Sequence, residues 1–318
     1  MKVLFITNMY PVEDYIYFGI HVKEQIDAIS NYASIEKEVY FINGRENKWN
    51  YFHSIKKIKA LIQTGNFDLV HIHYGLSGLF LLFNKINIPV VITLHSGELY
   101  QKKGYLNHLM QKTITLSILK STSKVIVLND DMISLLKAHS SKLVKLPCGT
   151  DLALFKEIPL KKNAQKITIG FPGNKARKEK NYTLFNEIIT KLKQEFEIHV
   201  IEFHNLSRED VVKSLNEIDL LLMTSLVEGS PQIIKEAMAC NKPIISTQVG
   251  DLADVLSNVE HSFIIDSFNA EDFLGPVRKI LSLPTALRHS PGRQKLVSMG
   301  LDAQQVAANV YKLYTEVL

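Results

Sequence analysis

Cysteine, tryptophan and long apolar runs are nearly missing from this chain. Its two cysteines, Cys148 and Cys240, are far apart among 318 residues, which excludes a disulfide framework and a cysteine-held zinc site. A reducing cytoplasm is therefore the expected compartment. The longest apolar stretch, LSGLFLLF at 76–83, falls far short of the roughly 20 residues a membrane crossing needs. The opening MKVLFITNMYP carries an apolar run too short for a signal segment, so it reads as a first strand. Several chemical signatures are missing too. The chain has neither a Walker loop nor a G-x-G-x-x-G dinucleotide fingerprint, and no G-x-S-x-G nucleophile elbow. Without an Asp-x-Asp pair or compactly spaced histidines, no metal is expected. Kinase, NAD-dependent and esterase chemistries all lose ground.

What is present is a globular composition, 46% hydrophobic and 22% charged, at a length suited to two domains of about 150 residues. The net charge of +5 is uneven: residues 1–155 hold 17 Lys+Arg against 12 Asp+Glu, and residues 156–318 hold 20 of each. A basic first half suits phosphates or an anionic membrane surface. Nucleic acid is not an expected partner.

Strand-like apolar runs alternate with helical patterns along the chain. The first set is KVLFITN (2–8), VYFIN (39–43), FDLVHIH (67–73), PVVITLH (89–95), KVIVLN (124–129) and KLVKLP (142–147). A second set follows with KITIGF (166–171), EIHVIEF (197–203), DLLLMTS (219–225), PIISTQ (243–248) and SFIID (262–266). Near-continuous apolar strands separated by amphipathic helices predict parallel sheets covered on both faces. The fold class is thus α/β, with two doubly wound domains in tandem. Their boundary is expected near 153–165, where ALFKEIPLKKNAQ loses periodicity. The closing LDAQQVAANVYKLYTEVL places Val306, Val310, Leu313 and Val317 at helical spacing, which predicts an amphipathic helix.

Open parallel sheets bind ligands beyond the carboxyl ends of their strands. The candidate residues cluster there: Gly19, His95, the basic loop GNKARKEKNY (173–182) and Glu228. We therefore expect two domains facing across a cleft. The basic loop, with Lys175, Arg177, Lys178 and Lys180, suits a diphosphate. His71 and His73 on one strand are expected on opposite faces, so that only one of them faces the ligand edge.

The segment EGSPQIIKEAMACNKP (228–243) concentrates the remaining signals. Ser230 before Pro231 suggests an N-cap and a helix beginning at the proline. Ile233, Ile234, Ala237 and Met238 then form the apolar arc, with Glu236 at its border. A carboxylate accepts hydrogen bonds only, so a polyol is a natural neutral partner for Glu228 and Glu236. The open helix start favours a phosphate nearby.

Taken whole, TSLVEGSPQIIKEAMACNKPIISTQVGD (224–251) resembles the donor-site motif of the family 4 retaining glycosyltransferases of GT-B fold. Weaker echoes are FGIHVKEQ (18–25), DLVHIHYG (68–75), VVITLHSGE (90–98) and LPCGTDLALF (146–155). The resemblance implies a Rossmann-like acceptor-binding domain over 1–155 and a Rossmann-like nucleotide-sugar-binding domain over 156–300. A helix at 301–318 would pack back toward the first domain. Glu236 would bind the ribose and Glu228 the hexose hydroxyls, with Gly229, Ser230, Pro231, Gln232 and Ile233 completing the pocket. Lys180, with Arg177, would neutralise the departing diphosphate. Gly19 would allow close approach to donor phosphates and acceptor, and His95 would line the site near the transferred sugar. The family's arginine after the first strand of the second domain has no direct counterpart in FPGNKARKEKN (171–181), leaving Lys175 and Arg177 as alternatives. Where the family has a glycine after the helix there is Asn241, able to adopt the left-handed cap conformation.

The implied activity is metal-independent, cofactor-free transfer of a hexose from a nucleotide diphosphate sugar to a saccharide or lipid-linked saccharide. Assembly of surface polysaccharide, lipopolysaccharide or capsule, is the implied setting. A GT-B nucleotide-sugar epimerase and a non-catalytic nucleotide-sugar-binding subunit are the alternatives. SIKKIKALI (54–62) and QKKGYLNHLMQKTITLSILK (101–120) mix lysines with apolar residues, as expected of a cytoplasmic enzyme docked peripherally on anionic lipid.

Overall fold

A computed structural model describes residues 1–100, 105–160 and 166–318. Residues 101–104 of the lysine-bearing segment and 161–165 of the expected boundary lie outside the described residues. The chain forms two compact units, Met1–Gly149 with Ala303–Leu318, and Thr150–Asp302.

The first unit holds β1 (Lys2–Thr7), β2 (Glu36–Phe41), β3 (Leu69–His73), β4 (Val90–Thr93), β5 (Lys124–Val127) and β6 (Leu143–Lys145), in the order β2-β1-β3-β4-β5-β6. Every pairing is parallel. Alternation along β1 sends Val3 and Phe5 to one face and Leu4 and Ile6 to the other, each into its own core cluster, as a period of two requires. On the Val3 face, Val22, Ile26 and Ile29 of the helix Ile20–Tyr32 meet Val306, Val310, Leu313 and Tyr314 of the closing helix Ala303–Thr315. Each such side chain, fully buried, contributes about 1.5–3 kcal/mol, which holds the chain's last helix to its first strands. The edge strand β2 begins three residues before its apolar run, with Glu36 and Lys37 exposed. Charged residues suit an edge, where they discourage pairing with another chain. The apolar run at 76–83 lies mostly in a buried 3₁₀ segment, Gly75–Leu82.

The second unit holds β7 (Ile167–Phe171), β8 (Ile198–Glu202), β9 (Leu220–Met223), β10 (Ile244–Thr247) and β11 (Ser262–Ile265). These are again all parallel, in the order β11-β10-β9-β7-β8. Leu220 and Leu222 enter one core and Leu221 and Met223 the other. Both units are thus Rossmann-like, with apolar cores on both faces of a parallel sheet. Strand order reverses between β1 and β3 in the first and between β7 and β9 in the second, which marks the ligand-binding points of such sheets. Among the described residues no helix is long and apolar enough to cross a membrane.

Candidate active site

The switch point of the second unit brings together the loops after β7 and β9. Gly173 has φ +130°, and a Cβ there would lie 2.9 Å from Lys180 Cε, so the lysine stem lies across it. Two contacts stitch the loops: Leu226 N–H donates to Glu179 O at 2.8 Å, and the Thr224 hydroxyl lies 3.1 Å from the carbonyls of both Lys180 and Asn181. The result is an ion pair, Lys180 Nζ to Glu228 Oε1 at 2.7 Å, with side chains only 12% and 18% exposed. Forty-eight residues separate them in sequence. The β7 and β9 crossovers make them neighbours.

The turn after Glu228 is shaped by Gly250 and Asp251. Gly250 has φ +59°, and a Cβ there would stand 2.3 Å from the Gly229 carbonyl oxygen, so only glycine fits. Ser230 Oγ donates to Asp251 Oδ2 at 2.6 Å. Burial pushes the Asp251 carboxyl up from its ordinary range, against the pull of Lys235 and of the Ser230 bond.

That bond corrects the expected cap. The helix spans Gln232–Ala239, and Pro231 is its N-cap residue with ψ 113° and no side-chain cap bond. Ser230 lies one residue before that N-cap, and its hydroxyl instead donates a charge-assisted hydrogen bond to the Asp251 carboxylate. Pro231 supplies no side-chain cap to the helix start, which carries the positive end of the helix dipole. Gln232 Nε2 donates to Thr150 Oγ1 at 3.0 Å, and Ile233 packs against the core. At the other end Asn241 has φ +52°. Lys242 N–H reaches Ala237 O and Asn241 N–H reaches Met238 O, both at 2.9 Å, a Schellman closure with asparagine in the glycine position.

Glu236 is 3% exposed and has an ionic partner that its local sequence does not announce. Arg208 Nη2 donates to its Oε1 at 2.7 Å, and the guanidinium lies 4.7 Å from the centre of the Phe155 ring. Arg208 opens the helix Arg208–Glu217, fixed by Ser207 Oγ accepting from Asp210 N–H at 3.1 Å and donating to Asp210 Oδ2 at 2.8 Å. This Ser-Arg-Glu-Asp start, just after β8, is a capping signature in the sequence. It was the available clue that a cation stands at the ligand edge.

Lys175 and Arg177 stand apart from this cluster. The Lys175 side chain is 61% exposed, 3.9 Å from Glu202. Arg177 is 57% exposed and bonded to Glu179. Of Lys175, Arg177 and Lys180, the last is the one joined to Glu228.

In the first unit, Gly19 has φ +69° and precedes the helix Ile20–Tyr32; a Cβ there would meet the Met9 carbonyl oxygen at 2.4 Å. His95, after β4, stacks on Tyr74 at 4.2 Å between ring centres, and its Nε2 lies 3.2 Å from His73 Nδ1. His71 and His73 stack on each other at 4.4 Å, which overturns their expected opposition. Residues two apart share a strand face. His71 is further held by Thr93 Oγ1 at 2.8 Å and by Tyr314 of the closing helix, and burial pushes its imidazole down to about 3. His73 is driven well below its ordinary range by burial and by its histidine neighbours. Both are neutral structural groups at neutral pH.

Glu98 lies beneath His95, 1% exposed, its Oε1 accepting the His95 backbone N–H at 3.1 Å. Burial pushes it up to about 7 from 4.5. A raised carboxyl contributes stability that is present below its unfolded value and lost as pH rises through about 7, here ~3 kcal/mol. Buried His71 acts oppositely, losing its contribution as pH falls from 6.5 toward about 3, but it is common to wild type and variant. Subtracting the denaturant stability of Glu98→Gln from that of wild type should therefore give a difference that falls between pH 4.5 and 8. A flat difference would refute the assigned environment.

Comparison with known proteins follows this division of the chain. Residues 17–154 match the model of "Glycosyltransferase Family 4" and residues 152–296 that of "Glycosyl transferases group 1". An uncharacterized glycosyltransferase of Methanocaldococcus jannaschii is 24% identical over 284 residues, 81% of this chain and 78% of that one. Sucrose-phosphate synthase from Thermosynechococcus elongatus superposes with a TM-score of 0.80 at 17% identity, covering 99% and 98% of the two chains. HepE of Anabaena, solved with UDP and glucose, gives 0.73 at 13% identity, covering 99% and 100%.

Proposed function

We propose that the chain is a retaining hexosyltransferase, a reading supported by its GT-B fold and by the match of its two parts to a family 4 and a group 1 glycosyltransferase domain. It moves a hexose from a nucleoside diphosphate sugar to a saccharide or lipid-linked saccharide in surface polysaccharide assembly. The observation that carries this reading is the Lys180–Glu228 pair at 2.7 Å, set at the switch point of the second sheet. One member is a cation for a departing diphosphate, the other an acceptor for sugar hydroxyls. The helix start at Gln232 adds a positive dipole end for the same phosphates. Glu236 receives the ribose, and the Gly229–Gln232 backbone closes the pocket. In the first unit Gly19 and His95 are the proposed substrate contacts.

In the reaction the acceptor hydroxyl oxygen forms a bond to the anomeric carbon on the face the diphosphate leaves. The carbon–oxygen bond to that diphosphate breaks, and the hydroxyl proton passes to the departing phosphate oxygen. Lys180 stabilises the charge that develops there, with no protein nucleophile and no metal. The HepE complex supports a uridine nucleotide as the donor carrier. Incubation with a panel of nucleotide sugars and an oligosaccharide acceptor tests the reading. The expected product is a glycosylated acceptor with the donor's anomeric configuration, formed equally in EDTA. Free epimerised nucleotide sugar, or tight donor binding without turnover, would replace it with one of the two alternatives.

A peripheral seat on anionic membrane fits the surface of the first unit. Trp49 and Phe52 are 65% and 54% exposed, beside exposed Lys56, Lys57 and Lys59 on the helix Asn50–Thr64. Leu106 and Met110 are exposed at 77% and 58% on the helix Tyr105–Leu119. Aromatic and aliphatic residues rimmed by lysines are the composition of interfacial docking. Flotation with vesicles containing anionic lipid should recover the protein in the lipid layer at low salt and release it at high salt. No salt-sensitive recovery would refute the seat.

A further inference from the structure

We infer that Arg208 sets the nucleoside half of the site, holding the Glu236 carboxylate in the orientation that selects ribose over deoxyribose. The inference rests on the nucleotide-sugar reading above and adds a residue to it. The Glu236 side chain is 4% exposed and that of Arg208 is 19% exposed, so separating them would leave a charge buried without compensation, which is strongly unfavourable. The pair therefore persists while substrate binds. Arg208 is itself fixed from two directions. Its helix start is locked by Ser207 and Asp210. Its guanidinium lies over Phe155, which is 1% exposed among Val211, Leu215 and Ile234, and the Phe155 carbonyl accepts from Arg293 Nη1 at 2.7 Å. The carboxylate is thereby turned by a group that has little freedom to move.

An ionised carboxylate offers about four lone-pair sites, and this guanidinium contact occupies one on Oε1. Enough remain for the two O–H donors of a ribose 2′,3′-diol. A buried acceptor held in one orientation discriminates strongly, because a sugar lacking one hydroxyl leaves it unsatisfied. Without Arg208 the carboxylate can turn or recruit water, and both sugars are accepted alike. Arg208 is thus a positioning residue. Lysine is a poor substitute for it, having neither the planar fork nor the flat face that lies on an aromatic ring.

Calorimetric titration of UDP, GDP and ADP against their 2′-deoxy counterparts tests this with the whole protein. For the nucleotide that binds best, wild type should prefer the ribo form at least tenfold. Arg208→Ala should weaken the ribo form tenfold or more and the deoxy form less than threefold, bringing the ratio toward one. Arg208→Lys should lose at least threefold of the ratio, and it decides the matter if the alanine variant does not fold. An unchanged ratio in the variants, equal weakening of both forms, or no ribose preference in wild type would overturn the inference. Failure of wild type to bind any of these nucleotides would instead overturn the nucleotide-sugar reading on which it rests.

Discussion

Glu228→Ala should lower turnover by about 10²–10³-fold, the range for removing one well-placed polar contact to a transition state, while nucleoside diphosphate binding changes less than about threefold. The split follows from placement. Glu228 leads into the turn and faces the sugar in our reading, whereas Glu236, eight residues on and paired with Arg208, faces the ribose. Some stability will be lost as well, because Lys180 loses its counter-ion where its side chain is only 12% exposed. Turnover is therefore normalised to the folded fraction, read from a melting curve. A purely structural Glu228 would show the stability loss with turnover per folded molecule unchanged. That result would remove the assigned sugar contact.

Lys180→Ala is the second large effect and has a different signature. Turnover should again fall about 10²–10³-fold, but UDP binding should weaken about tenfold or more, since a phosphate cation acts on the nucleotide in ground and transition states. Lys180→Arg keeps the charge and should recover part of both. The lysine stem lies against Gly173, so the bulkier guanidinium will not sit in the same place and recovery should be incomplete. Unchanged UDP affinity in Lys180→Ala, measured by titration, would count against the diphosphate role. Because Lys180 and Glu228 touch, the double variant should fall short of the sum of the two single effects.

Particular residues show what could be read in the sequence. Eleven apolar runs correspond to the eleven strands among the described residues, since a buried parallel strand needs apolar side chains on both faces and so stands out from the amphipathic helices beside it. β2 began earlier than its apolar run because an edge strand tolerates Glu36 and Lys37 in water. The Glu228–Glu236 segment was conspicuous locally, with two carboxylates around a Gly-Ser-Pro turn. Their partners were not. Lys180 and Arg208 reach them over 48 and 28 residues, distances that only the crossovers of the sheet close. Likewise, the competition for Ser230 is invisible locally, because Asp251 arrives from the loop after β10. The stacking of His71 on His73 follows from strand period alone, which places residues two apart on one face. Glu98 carried no local signal, because its burial depends on how the segment after β4 folds against Gly75.

The most direct measurement of the central claim is a crystal structure with an intact nucleoside diphosphate hexose bound. The account predicts Lys180 Nζ within hydrogen-bond distance of a diphosphate oxygen, Glu228 on a hexose hydroxyl, and Glu236 on the ribose with Arg208 still attached to it. A nucleotide bound elsewhere on the chain, or one whose diphosphate bypasses Lys180 and the helix start at Gln232, would contradict it.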